Sequence, residues 1–249
     1  MTGDADLASV GFLLAEPARA RVLQALGDGR ELPASMLAAE AGVSASTVSE
    51  HLARLLGGGL VTVTRRGRYR YYRLAGPQVN DLIEAMARVA LPRPVTSLRE
   101  GTRANALRRV RSCYDHLGGR LAVALTDAFL ANGLLTGHDL TGHDGSIDLD
   151  RMRGDRPAGG VLDPAAYTLT SAGAQALRDL GAQPPANWAV RCCVDWTEQR
   201  HHMSGAVGGI LLGQFLKRDW VRPARYHRAL TVTDTGRAEL ASRFGVTAE

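Results

Sequence analysis

Cysteine and aromatic side chains are scarce in this chain of 249 residues, which has three Cys, three Trp, six Tyr and four Phe. Cys113, Cys192 and Cys193 are too few and too awkwardly placed for a disulfide framework, and a reducing cytosol would keep them as thiols. Long apolar runs are missing as well. The longest, Met203 to Leu216, holds four glycines and falls short of a bilayer span, so no membrane partner is expected. The N-terminal stretch lacks the charged-then-apolar pattern of a secretory signal, which places the chain in the cytoplasm. No glycine-rich phosphate loop, oxyanion-type motif or carboxylate pair stands in a context that names a reaction. An enzyme with Cys113 or Cys193 as nucleophile and a nearby His as base is therefore set aside, and the expectation is a protein that is not an enzyme.

Lysine is nearly absent too, with Lys217 alone, so arginine carries the formal net charge of +5. Its distribution says more than its size. Arg65, Arg66, Arg68, Arg70 and Arg73 crowd one short segment, and six arginines between Arg93 and Arg111 face only Glu100. The 45% hydrophobic content is enough for at least one substantial core, and the length suits one to two domains.

The pattern along the chain then becomes informative. A helix is expected over Glu16 to Gly27, with Phe12, Leu13, Ala20, Val22, Leu23 and Leu26 as its apolar stripe. A second starts near Pro33 and runs to Ala41. Gly42-Val43-Ser44 makes a tight turn whose serine can cap a third helix, with Val48, Leu52 and Leu55 on one face. The opposite face shows Ser46, Thr47, Ser49, Glu50, His51 and Arg54. After three glycines, Leu60 to Thr64 and Tyr69 to Leu74 read as the arms of a hairpin with a basic tip.

Helix, helix, tight turn, helix and basic hairpin is the order of a winged helix-turn-helix. A helix entering the major groove needs short polar side chains outward so that its backbone can approach base edges. Ser44, Ser46, Thr47 and Ser49 meet that need, with Glu50, His51 and Arg54 beside them. Arg65, Arg66, Arg68 and Arg70 on the hairpin suit phosphates, which give salt-dependent affinity with little sequence preference. The partner this predicts is a double-stranded DNA operator.

Glu40 to Leu55, followed by a glycine, Leu60-Val61, a basic turn and Tyr71-Tyr-Arg-Leu74, resembles the DNA-binding core of the arsenic-repressor-type (ArsR/SmtB) regulators. The resemblance covers about Leu7 to Val89. It implies a homodimeric repressor that leaves its operator when a metal ion or another signal binds. The positions that usually hold metal in that family carry no matching ligand residues here. Met36 to Ala41 contains no cysteine, and within Gln78 to Val89 the acids Asp81 and Glu84 have no histidine beside them in the sequence.

Leu91-Pro-Arg-Pro94 breaks the chain, which suggests a DNA-binding domain over 1–92 and a sensor domain over 93–249, opened by a capping box at Ser97 to Glu100. The second part carries an internal duplication, about 112–181 and 191–245. His116 to Leu125, leading to Phe129-Leu130, matches His202 to Leu211, leading to Phe215-Leu216. Leu134 lines up with Trp220, and Leu169 to Gly173 with Val232 to Gly236. Each copy is expected to be a helix, a short strand and a helix capped by Ser171 or Asp234, in the manner of a winged helix. The fold class is thus mainly α with small β-hairpins. A Gly- and Asp-rich insertion, 137–160, reads as a surface loop, with His138-Asp139 and His143-Asp144 as weak metal-binding candidates.

Chemistry concentrates where the copies begin. Arg111-Ser-Cys113-Tyr-Asp115-His116 corresponds to Arg191-Cys192-Cys193-Val-Asp195-Trp196, with His201-His202 shortly after. If the copies pair symmetrically, Cys113, His116, Cys193 and His202 converge from equivalent helix starts. Such a set suits zinc, another thiophilic metal ion or a haem iron, and the thiols also suit redox sensing. The plainer reading is that the cysteines are inert core residues and the Asp and His caps. Similar Cys-Tyr-Asp-His and Cys-x-Asp-Trp segments resemble those of a subgroup of the same regulators. Two functions follow: a repressor controlled by a small effector through its C-terminal half, or a ligand- or metal-binding sensor whose winged module mainly dimerises.

Overall fold

The computed structural model describes residues 4–90, 94, 97–137 and 167–248. The expected loop carrying His138-Asp139 and His143-Asp144 lies outside them. The chain divides into two compact units between Met86 and Ala87. Among the described residues no helix is long and apolar enough to cross a membrane.

The first unit opens with α1 (Leu7–Leu14) and α2 (Pro17–Ala25). These are two helices where the apolar stripe suggested one. Pro17 takes the first position of α2, where its missing N–H costs nothing, and forces the preceding Glu16 into an extended conformation. Phe12 consequently falls on α1 and stays exposed, outside the stripe first assigned to it. β1 (Leu32–Pro33), α3 (Ala34–Ala41), α4 (Ala45–Gly57), β2 (Val61–Arg66), β3 (Tyr69–Leu74) and α5 (Pro77–Val89) follow. The strands form one antiparallel sheet in the order β1-β3-β2, with Val61 opposite Leu74 and Arg66 opposite Tyr69. Gly42 ends α3 in the left-handed region, at φ 70°, and turns the chain into α4. Val22, Leu23, Leu26, Leu37, Val48, Leu52 and Leu55 fill the core. The winged helix-turn-helix is present in full.

In the second unit, beyond the end of α5, comes α6 (Leu98–Arg109), capped by Ser97, whose Oγ accepts the Glu100 N–H at 3.2 Å. Two similar runs follow. The first is β4 (Arg111–Cys113), β5 (His116–Gly118), α7 (Arg120–Ala131), β6 (Leu135–Gly137), β7 (Tyr167–Leu169) and α8 (Ser171–Asp179). After β8 (Ala189–Val190) comes the second: β9 (Cys192–Val194), β10 (His201–Met203), α9 (Gly205–Lys217), β11 (Val221–Pro223), β12 (Leu230–Val232) and α10 (Asp234–Phe244). Each run is hairpin, helix, hairpin, helix. The leading hairpins have strands of three residues, too short for an alternating pattern to stand out in the sequence. The runs embrace each other. α7 packs on β10 and α9 on β5, and β8, which leads into the second run, pairs with β7 of the first. Phe129 and Phe215 occupy matching positions and are both fully buried.

The caps of α8 and α10 sit one residue earlier than expected. Thr170 and Thr233, not Ser171 and Asp234, accept the N–H of Gly173 and Gly236 at 3.0 and 2.9 Å. The same threonines hold Leu134 and Trp220: the Thr170 N–H donates to the Leu134 carbonyl, and the Thr233 N–H to the Trp220 carbonyl, both at 3.0 Å. This draws each helix so close that a Cβ on Gly173 or Gly236 would stand 2.1 Å from the Leu134 or Trp220 oxygen. Helix propensity favours alanine by at most about 1 kcal/mol, whereas overpacking against a fixed backbone costs roughly 1–3 kcal/mol. Gly173→Ala and Gly236→Ala should therefore each lower the stability of the second unit, by on the order of 1–2 kcal/mol and by similar amounts. Denaturant midpoints of the two single variants check this, and an unchanged midpoint for either would contradict the matched geometry.

Candidate functional site

In the first unit, the helix-turn-helix presents α4. Burial of Val48, Leu52 and Leu55 leaves Ser46, Ser49, Glu50 and Arg54 exposed and Thr47 and His51 half-buried. The hydroxyls at the helix start already have local work. Ser44 Oγ accepts the Thr47 N–H at 3.2 Å and lies 2.8 Å from the Ser46 and Thr47 hydroxyls, while Ser49 donates to the Ala45 carbonyl at 2.8 Å. They order the first turn and keep it narrow, so the backbone is sterically accessible there. On the wing, Arg65 stands opposite Arg70 across the hairpin. Two cations so placed repel, and an anion between them relieves the repulsion. Arg68 lies over the Tyr69 ring at 5.4 Å. Arg66 differs from the others: it pairs with Glu31 at 2.5 Å and stacks on Tyr71 at 5.2 Å. Glu31 also accepts the Thr64 hydroxyl at 3.0 Å and so braces the wing, a role that no local pattern announces.

The second unit contains a denser constellation. Cys113 faces His116 across the β4–β5 hairpin, whose two-residue turn carries Tyr114 at φ 58°. Cys193 faces His202 across β9–β10. Directly opposed cross-strand residues share a face of their hairpin, so each hairpin offers one thiol and one imidazole side by side. The donors thus sit on hairpins and not, as the sequence pattern suggested, at helix starts; the helices begin only at Arg120 and Gly205. The two hairpins meet, and one donor atom from each of Cys113, His116, Cys193 and His202 lies within 4.8 Å of all the others. Cys113, His116 and His202 are buried and Cys193 is half-buried.

The imidazoles approach through Nε2, 3.2 Å apart. Two such nitrogens attract only if one bears a proton. Burial opposes protonation of His116, but hydrogen bonds and charge from Asp115 and Cys113 outweigh it and hold its pKa up, at about 9. His202 is driven well below the ordinary histidine value, first by burial and next by His116, which makes it the neutral acceptor. The outer nitrogens face carboxylates. His116 Nδ1 is 3.0 Å from Asp115 Oδ1, and His202 Nδ1 is 3.5 Å from Asp195 Oδ2. A histidine that ligates through Nε2 carries its proton on Nδ1 and is usually oriented by such a partner.

Asp195 is itself fully buried. Burial alone would raise its pKa, yet the Arg111 guanidinium, the Gly119 amide and Thr197 overcome this and keep it ionised well below the usual carboxylate range. Oδ2 accepts from Arg111 at 2.9 Å and from the Gly119 N–H at 2.6 Å, and Oδ1 accepts from Thr197. Arg111 lies over the Trp196 ring at 5.0 Å. Cys192 stands apart from this cluster: successive strand residues point to opposite faces, and Cys192 packs on the hydrophobic core. His201 is turned away too, with Nδ1 3.2 Å from the Tyr167 hydroxyl.

The donor set fits a single ion. In a tetrahedral zinc centre with Zn–S near 2.3 Å and Zn–N near 2.0–2.1 Å, neighbouring ligand atoms lie about 3.3–3.8 Å apart. The observed 3.2 Å between imidazoles and the 4.8 Å limit for the set bracket that range. Two thiolates and two neutral imidazoles around a divalent cation sum to no charge, which suits a site so deeply buried. Arg111 and Asp195 neutralise each other independently.

The profile of a helix-turn-helix domain family matches residues 14–64. The chain is 31% identical over 246 residues to the uncharacterized HTH-type transcriptional regulator YdfF of Bacillus subtilis, a match covering 97% of this chain and 98% of that protein. It is 42% identical over 85 residues to the HTH-type transcriptional regulator CmtR of Mycobacterium tuberculosis, across 34% of this chain and 71% of that one. A solved homodimeric winged helix-turn-helix DNA-binding domain from Mycobacterium bovis is 34% identical, covering 34% of this chain and 86% of its own, at a TM-score of 0.30. With the winged helix-turn-helix architecture and a relative matched from end to end, the chain belongs to the HTH-type transcriptional regulators, a DNA-binding, non-enzymatic family.

Proposed function

We propose that this regulator is a homodimeric repressor that binds an operator through α4 and the wing and responds to a divalent thiophilic metal ion of the zinc class held by Cys113, His116, Cys193 and His202. The observation that carries the sensing half is the convergence of four ligand atoms, two from each hairpin, within 4.8 Å. The ion supplies a cross-link between the two halves of the duplicated unit. Haem is the poorer occupant, because donors gathered around one point leave no room between them for a porphyrin ring. Dimerisation is supported by apolar side chains left uncovered on the first unit, Leu7 and Phe12 on α1 and Met86 on α5. A regulator of this kind works with the DNA, in the cytoplasm. The alternative, a sensor whose winged module only dimerises, leaves the exposed and mutually repelling Arg65 and Arg70 without a purpose.

Fluorescence anisotropy with the DNA upstream of the protein's own gene tests the DNA half. Specific binding with a steep salt dependence is expected. Arg65→Ala, Arg68→Ala and Arg70→Ala should each weaken binding to all sequences and reduce the slope of log K against log salt by about 0.9 for each phosphate left without its arginine. Binding that is neither specific nor salt-dependent would remove the DNA role.

The metal half is read by elemental analysis and by the ligand-field spectrum of cobalt-substituted protein, both prepared under reducing conditions. One metal ion per chain in tetrahedral coordination is expected. Cys113→Ser and Cys193→Ser should lose it and Cys192→Ser should keep it, with the ion shifting operator affinity in the wild-type protein. A protein that takes up no zinc or cobalt, or whose operator affinity ignores the ion, would end the sensing proposal.

A further inference from the structure

The four-donor cluster holds two sulfurs of unequal access, and that inequality bears on its regulation. Cys113 is completely buried, Cys193 is half-buried, and their Sγ atoms lie within 4.8 Å of each other on two different hairpins. Building on the metal-binding reading above, we propose that Cys113 and Cys193 form a reversible disulfide when the protein meets a hydroperoxide, and that this oxidation ejects the metal ion.

The sequence of events follows from access. The reachable Cys193 sulfur attacks the O–O bond of hydrogen peroxide, becoming a sulfenic acid and releasing hydroxide. The Cys113 thiolate then attacks that sulfur, forming the S–S bond and releasing a second hydroxide. Two protons convert the hydroxides to water. Two thiolates have lost two electrons and one peroxide has gained them. An S–S bond of about 2.05 Å requires the sulfurs to approach, which turning about the Cα–Cβ bonds can supply. Both anionic ligands are then consumed, and the two imidazoles that remain are half a coordination sphere.

The competing partner for Cys193 is its neighbour Cys192, and the strand disfavours it. Cys192 lies opposite Met203 and Cys193 opposite His202 in the β9–β10 register, so the two sulfurs leave opposite faces. Cys192 is packed among the hydrophobic residues of the core. Cys113, which comes from the other copy, is thus the resolving thiol, and the disulfide joins the same two hairpins that the ion joined.

The test uses the full-length chain loaded with zinc under reducing conditions, then treated with hydrogen peroxide while a chromogenic chelator reports free zinc. Zinc release in one-to-one ratio with disulfide formation is expected, reversed by a thiol reductant plus zinc. Trypsin should yield a cross-link between Ser112–Arg120 and Cys192–Arg200, the fragments that contain these cysteines. Cys192→Ser should retain both the cross-link and the release. Zinc retained under peroxide, a bond between Cys192 and Cys193, or zinc released through sulfinic acid without a cross-link would each overturn the proposal. Peptide mapping of the wild-type chain keeps the question open to decision even if Cys113→Ser fails to fold. If the chain binds no zinc at all, the metal reading has failed. Oxidation of the metal-free chain by diamide then decides the thiol pair separately, its cross-link supporting the pairing and its absence refuting it.

Discussion

A buried carboxylate sets the terms for the second unit. Asp195 and Arg111 form an ion pair at 2.9 Å in which neither side chain has any solvent exposure. Taking both charges out of water costs several kcal/mol per ion, so the arrangement persists only where the remaining lone pairs and protons find partners. Asp195 meets that demand with the Gly119 amide and with Thr197, and Arg111 lies against Trp196. Arg111 is two residues from Cys113 and Asp195 two from Cys193, on hairpins of opposite copies. A pair with such narrow geometric tolerance adds little net stability, but it admits one registration of the hairpins. The donor cluster inherits its convergence from that registration.

The pairing of two similar runs explains why the cluster has four donors and not two. Neither hairpin alone holds more than a thiol and an imidazole, and the pseudo-symmetric embrace of the copies doubles the set. The symmetry is broken in the surroundings. Asp115 sits at the surface beside His116, whereas its counterpart Asp195 is sealed in and tied to the other copy through Arg111 and Gly119. One carboxylate is therefore open to solvent, and the other is fixed by the packing of the unit.

Much of this was legible in the sequence, and what was not has identifiable causes. Helix α4 announced itself through Ser44 and the spacing of Val48, Leu52 and Leu55, because capping and helical periodicity are local signals. The wing was visible in alternation on both sides of Gly67. The split at Pro17 went unread because the apolar period continues across it. β1 has only two residues, too few to show any period. The four donor residues could be named by aligning the copies, yet their placement on hairpins could not, since the β4–β5 turn at Tyr114-Asp115 lacks the glycine or asparagine that normally marks such a turn. Glu31 beneath the wing and the Arg111–Asp195 pair are long-range contacts, 35 and 84 residues apart in sequence, and no local pattern encodes them.

The preorganisation of the cluster also constrains how an ion there can act as a signal. Zinc bound by such donors in small peptides contributes an apparent 10–16 kcal/mol or so, while allosteric coupling needs only about 1–3 kcal/mol. Affinity is not the limiting quantity; the difference in affinity between two conformations is. In a site whose donors already converge, the arriving ion takes the place of the proton held between the His116 and His202 Nε2 atoms, so the change it makes is chiefly one of charge. Larger changes come from altering the donors themselves. Removing the two thiolates would change both the charge and the connectivity at the junction of the copies.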